Sequence, residues 1–164
     1  NMSDTPEATA GKRARRLRLD DYLPYRLTVA TGWVTRLIAG IYEERFGLNV
    51  AQWRVIALLG DEGPMTQQQI AQRSTMDKIS AHRAARSLLA RDIVKMSAAV
   101  SGRFKFIELT AAGKRIHAEV APLALELEKK IFDRAGITDH RALHQQLKDI
   151  EFAAREMRDL AVEE

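Results

Sequence analysis

Apolar residues recur at helical spacing along most of the chain. Leu27, Ala30, Val34, Ile38 and Ile41 share one face when residues turn by about 100° each, and they predict a long helix from near Asp20 or Asp21 to about Phe46, with Gly47 as a stop. NVAQWRVIALLGDEG predicts a shorter helix, capped by Asn49 and ended by Gly60 or Gly63. In MTQQQIAQRST, Thr66 is the N-cap candidate and Gln69 stands three residues on, the capping-box spacing; Ile70 and Ala71 then face inward. A short break at Ser74 to Met76 follows, and Asp77 caps the next helix, DKISAHRAARSLLAR. Two helices with so tight a break form a helix-turn-helix.

The period then changes. VKMSAAV and FKFIELT are β-prone runs on either side of Ser101, Gly102 and Arg103, and they predict a hairpin, which makes the unit a winged helix. Thr110 caps a helix over roughly 111–134, with a kink expected at Pro122. Gly136 breaks the chain, and Thr138 or Asp139 starts the last helix. Leu143, Leu147, Ile150, Ala154, Met157 and Ala161 line it at alternating spacings of four and three, a heptad seam.

The helix at 77–91 has two unlike faces. Ala81, Ala84, Ala85 and Leu88 fall on one narrow arc, and small residues there allow close packing. The other arc holds Ile79, His82, Arg83 and Arg86, with Ser80 and Ser87 along an edge, and no acid occurs from Lys78 to Arg91. A solvated face more often mixes acids with bases. Cations, short hydroxyls and one outward apolar residue suit phosphates, base edges and thymine methyls in a major groove.

The flanking helices carry more apolar surface than the small central unit can cover. Burying each such side chain contributes roughly 1.5 to 3 kcal/mol, so a two-fold dimer built from the first and last two helices is expected. The chain then divides into a basic disordered arm at 1–18, a DNA-binding region at 48–110 and a dimerisation region at 19–47 and 111–164. The fold class is all-α with a small β-hairpin wing, a winged helix-turn-helix flanked by long dimerisation helices.

Composition sharpens this. The chain has 164 residues, 46% apolar and 29% charged, with net charge +4, enough for one or two small domains with a mild bias towards anionic partners. No apolar run approaches the roughly 20 residues that span a bilayer, and the N-terminal residues are polar and then basic (KRARRLR at 12–18), unlike a secretory signal. The absence of cysteine excludes disulfides, thiolate metal sites and a cysteine nucleophile, and it fits a cytoplasmic location. The basic arm either contacts DNA or is a solvated tail.

Candidate chemistry is sparse outside the helix-turn-helix. There is no phosphate-cradling glycine loop, nucleophile elbow or carboxylate pair in apolar surroundings, so an enzyme is not expected. No metal or cofactor is expected either: His140 and His144 stand four apart but lack a third ligand at motif spacing. Trp33 and Trp53 are expected in the core, and His117 on a helix surface or lining a pocket.

The order helix, helix, helix-turn-helix, wing, two long helices resembles the MarR family (multiple antibiotic resistance regulators) from Leu19 to Leu160. MTQQQIAQRSTMDKISAHRAARSLLARDIV carries its most specific part, with Asp77, Lys78, Arg83 and Leu88 at the family's positions; Leu109, Thr110, Gly113 and Lys114 match its Leu-Thr-x-x-Gly-Lys junction. The family's wing usually has an Asp two residues before the tip Arg. Ser101 stands there in this chain, so Arg103 lacks that brace. The resemblance implies a dimeric transcriptional regulator, usually a repressor, whose DNA binding is weakened by a small anionic or phenolic ligand. Alternatives are a winged helix used for protein contacts and a ligand-independent DNA-binding module.

Thr66, Gln67, Gln68, Lys78, Ile79, Ser80, His82, Arg83, Arg86, Arg103 and Lys105 are therefore the candidate DNA contacts. Tyr22, Leu23, Tyr25, Arg26, Trp53 and Arg54 are the candidate ligand contacts, for an aromatic acid or its acyl-CoA thioester: the rings supply apolar contact and arginine a charge-assisted fork. In the alternative, Arg26 and Arg54 pair with Asp20, Asp21, Glu43 or Glu44.

Overall fold

The structure, a computed structural model, describes residues 16–98 and 102–162. Most of the basic arm and Ser101 lie outside these residues. The described residues fall into two compact units, one up to Trp33 and the other from Val34 on. Among the described residues the order is a 3-10 turn at Leu19–Asp21, then α1 (Leu23–Phe46), α2 (Val50–Glu62), α3 (Gln67–Ser74), α4 (Lys78–Ala90), β1 (Val94–Ala98), β2 (Lys105–Leu109), α5 (Ala111–Arg134) and α6 (His140–Val162).

In the first unit α1 begins at Leu23, later than its apolar periodicity suggests, because Leu19–Asp21 closes its own turn through Tyr22 N–H to the Leu19 carbonyl at 3.1 Å. Pro24 falls in the first turn of α1, where a missing N–H costs nothing. Trp33 is 64% exposed, contrary to the expectation of a core residue.

The second unit holds the core. α1 contributes Ala39 and Tyr42, both buried, whereas Val34, Ile38 and Ile41 of the expected face are only partly covered. α2 runs through Gly60 and ends at Gly63, which takes φ +82°. Asn49 and Gln52 form a reciprocal capping box at its start, each side chain accepting the other's backbone N–H at 2.8 Å. A similar box joins Thr66 and Gln69 on α3. α4 turns Ala81, Ala84, Ala85 and Leu88 inward, the stripe expected from its spacing.

β1 and β2 pair antiparallel in the register Met96 opposite Ile107. Met65 adds a bridge from outside the hairpin: its N–H donates to the Ile107 carbonyl at 3.0 Å, and the Ile107 N–H returns the bond at 2.7 Å. The base of the wing is thus tied to the residue before α3's cap. This bridge has no sequence signature, since one residue shows no period.

α5 follows from a Thr110 cap and runs unbroken past Pro122. The Asp139 carboxylate accepts the Ala142 N–H at 2.9 Å and starts α6. No residue of α6 is buried within the chain; Ile150 and Met157, on its seam, are 51% and 71% exposed. Among the described residues no helix is long and apolar enough to cross a membrane.

Candidate nucleic-acid interface

The break between α3 and α4 places two side-chain rows against each other. α3 ends at Thr75, held at φ 58° in the left-handed region, and the chain re-enters helix after Asp77. The Asp77 carboxylate accepts the Ser80 backbone N–H at 2.8 Å and the Ser80 hydroxyl at 2.7 Å. These two bonds hold the Asp77 carboxyl below the usual carboxylate range. The Ser80 proton is thereby used, so that hydroxyl faces any ligand as an acceptor only.

The result is a groove of about 860 Å³ lined by Gln67, Gln68, Ala71, Lys78, Ile79, His82, Arg83 and Arg86. No acid is among these residues. Ile79 is 72% exposed and sets one apolar side chain among these cations. The Gln67 amide nitrogen is buried and makes no hydrogen bond. A buried donor without an acceptor is costly unless a ligand supplies one.

A second groove, of about 420 Å³, lies between α4 and the wing. Its apolar lining is Ala85, Leu89, Met96 and Ile107, and its polar lining is Gln67, His82, Arg86 and Lys105. Gln67, His82 and Arg86 belong to both grooves, so α3, α4 and the wing present one continuous basic surface. Arg103 is exposed near the end of the hairpin, outside the residues that line either groove. Sequence reasoning missed Met96 and Ala71, which are uncharged and look like core.

The ligand candidates fall in two different units. In the first unit Tyr22 and Leu23 line a depression of about 580 Å³ with Arg16, Arg18 and Asp21. Arg26 is not part of that lining; its guanidinium stands 5.3 Å from the Tyr25 ring centroid. Arg18, rather than Arg26, pairs with Asp21, at 3.6 Å. In the second unit Trp53 stacks on Tyr42, with centroids 5.5 Å apart, and on His117, at 6.1 Å. Burial, then the charge of Glu43, pushes the Tyr42 phenol up, with Arg54 opposing. His117 also fills the space beside Gly60, where a Cβ would lie 2.4 Å from its ring. Asp133 stands 3.6 Å from His140, but among the described residues no three His, Cys, Asp or Glu side chains gather as metal ligands do.

Comparison with known proteins bears on the fold. Residues 46–103 match the sequence model of the MarR family. The fold is similar to that of a MarR/EmrR family transcriptional regulator from Acinetobacter sp. ADP1, with TM-score 0.73, 19% identity, and coverage of 87% of this chain and 99% of that one. It is also similar to a MarR family regulator from Neisseria meningitidis, with TM-score 0.69, 22% identity, and coverage of 90% and 99%. A probable transcriptional regulator from Pseudomonas aeruginosa gives TM-score 0.66 at 24% identity, covering 81% and 99%. A search of curated proteins gave no match.

Proposed function

We propose that this chain is a transcriptional regulator of the MarR type, the family whose model its residues 46–103 match, and that it represses transcription by binding a palindromic operator as a homodimer with α4 in the major groove. The observation that carries the reading is the groove between α3 and α4, whose lining includes Lys78, His82, Arg83 and Arg86, no acid, and an exposed Ile79. Arg83 and Arg86 reach guanine edges or phosphates, and His82 and Ser80 read base edges, Ser80 as an acceptor for an exocyclic amine. Ile79 meets a thymine methyl. Thr66, Gln67 and Gln68 stand at the start of α3, where free N–H groups favour a phosphate, and Gln67 adds its unpartnered amide. Lys78, Lys105 and Arg103 neutralise backbone charge, the last from the wing.

The dimer reading rests on α6. A long helix with an apolar seam and nothing buried within its own chain needs a partner, and a second copy places two α4 helices at a fixed separation. The effector reading rests on the first unit: Tyr22, Leu23 and Tyr25 give apolar contact and Arg26 a charge, which suits an aromatic acid or its acyl-CoA thioester. Trp53, in the stack that ties Tyr42 to His117, and Arg54, which opposes the upward shift of the Tyr42 phenol, belong to the second unit, and the effector reading does not rest on them.

Duplexes enriched from a random pool test the DNA reading. Affinity should fall steeply between two salt concentrations, and footprints should show two half-sites about one turn apart. An absence of binding at low salt overturns it. Benzoate- and cinnamate-type acids and their CoA esters, titrated into that complex, test the effector; no release at millimolar levels, or an Arg26→Ala variant responding as the parent does, removes that part alone.

A further inference from the structure

α4 packs inward mainly through alanines. Ala81, Ala84 and Ala85 are buried with Leu88 as the one large residue. Methyl groups make a smooth contact surface, with few knobs to oppose rotation of the helix about its axis. Base readout tolerates little rotation, since a recognition site has to be held to about 10–20° of its productive geometry. Something directional has to set the azimuth of α4.

Two side chains make directional bonds at its C-terminal end. The Gln52 amide nitrogen donates to the Ser87 hydroxyl at 2.7 Å. Gln52 is buried, at 7% exposure, and its amide oxygen is already committed to the Asn49 N–H at 2.8 Å. The amide is therefore fixed at both ends and cannot follow Ser87 if α4 turns. Ser87 is one residue after Arg86 and four after Arg83, so its azimuth dictates theirs.

The second side chain is Arg91, the C-cap residue of α4. Its guanidinium donates to the Phe46 carbonyl at 2.6 Å and to the Gly47 carbonyl at 3.3 Å. These carbonyls stand at the end of α1, where helix geometry leaves acceptors without donors and a partial negative charge. Arg91 thus pins the end of α4 to the α1–α2 corner, while Gln52 resists rotation a turn earlier.

We propose that Gln52 and Arg91 are positioning residues that set the rotation of α4, and with it the ratio of operator to random-duplex binding. The inference rests on α4 reading DNA. Neither residue faces the groove, so neither is expected to touch nucleic acid.

The test uses Gln52→Met, which keeps the volume and removes the donor, Ser87→Ala, the double variant, Arg91→Met and Arg91→Lys. Each is bound to the duplex enriched by the parent protein and to random duplex at one salt concentration, with circular dichroism and melting recorded. Gln52→Met and Arg91→Met should each lose about tenfold in operator affinity, the scale of one buried donor or cation contact, and stay within about twofold of the parent on random DNA, where contacts go to phosphates. Adding Ser87→Ala to Gln52→Met should cost nothing more, and Arg91→Lys should recover part of the loss. If Gln52→Met does not fold, Ser87→Ala, at a partly exposed position, carries the same expectation. A parent that selects no operator overturns the DNA reading and this inference with it. A selective parent whose folded variants keep the parental ratio overturns the inference alone.

Discussion

A Cβ on Gly113 would lie 2.2 Å from the backbone carbonyl oxygen of Ile93 and 3.0 Å from Leu109 Cδ2. The same Ile93 carbonyl accepts the Thr110 N–H at 3.1 Å, the Thr110 hydroxyl donates to the Asp92 carbonyl at 2.7 Å with Ile93 as a second acceptor at 3.0 Å, and the hydroxyl oxygen in turn accepts the Gly113 N–H at 3.1 Å. The Leu-Thr-x-x-Gly-Lys junction is thus a weld: threonine caps α5 and clamps the strand entry, and glycine lets the helix sit against it. A backbone atom cannot move aside as a flexible side chain does. Gly113→Ala is therefore expected to cost about 2 kcal/mol or more, read by urea denaturation, and to loosen the wing.

Thr75 gives the opposite sign. It is β-branched and sits at φ 58° in the turn between α3 and α4. The left-handed region costs a side-chain-bearing residue about 1–2 kcal/mol, whereas glycine's extra unfolded-state entropy costs roughly 0.5–1 kcal/mol. Strain exceeds entropy, so Thr75→Gly should stabilise the fold by about 0.5 to 1 kcal/mol, measured as a raised denaturation midpoint. An unchanged or lowered midpoint would show that the turn is not strained.

Asp77 links the same turn to pH. Its carboxyl is held low by the Ser80 hydroxyl and backbone N–H. A depressed folded-state value means that the cap's contribution is complete above the ordinary carboxylate range and is lost as pH falls below it. The melting temperature of the parent should drop on acidification below about pH 4, and Asp77→Ala should start lower at neutral pH and drop less steeply. The bidentate Glu62–Arg73 pair acts in the same direction, because the Arg73 hydrogen bond holds Glu62 low.

The α6 seam predicts an assembly phenotype. Ile150 and Met157 are exposed in a single chain. If they face a second copy, Ile150→Asp with Met157→Asp buries two charges from each chain in that interface. Light scattering should then show a monomer where the parent is a dimer, with operator affinity reduced and helical content retained. A parent that is already monomeric at micromolar concentration contradicts the two-fold reading.

Much of this was legible in the sequence, and the exceptions share a cause. Local signals held: the Thr66–Gln69 box, the Asp77, Thr110 and Asp139 caps, the inward alanines of α4 and the two strands are all set within a few residues. Contacts between distant positions were not legible. Gln52 announces itself as the N3 member of a capping box, yet its bond to Ser87 spans thirty-five positions. Arg91 reads as one more cation on a basic helix, and its carbonyl partners at Phe46 and Gly47 leave no trace in the pattern. Trp33 failed for a related reason. Apolar character says that a residue seeks cover, but not whether its own chain supplies it.

The central claim is that the face of α4 bearing Arg83 and Arg86 meets DNA. Its most direct test is the affinity of the Arg83→Ala, Arg86→Ala double variant for the operator enriched by the parent, at the same salt. Each bidentate base contact is worth about 1–3 kcal/mol, so the folded double variant should bind at least about tenfold more weakly, and part of the loss should be specific to that operator rather than shared with random duplex. Unchanged operator affinity in a folded double variant would show that another surface of the protein meets the DNA.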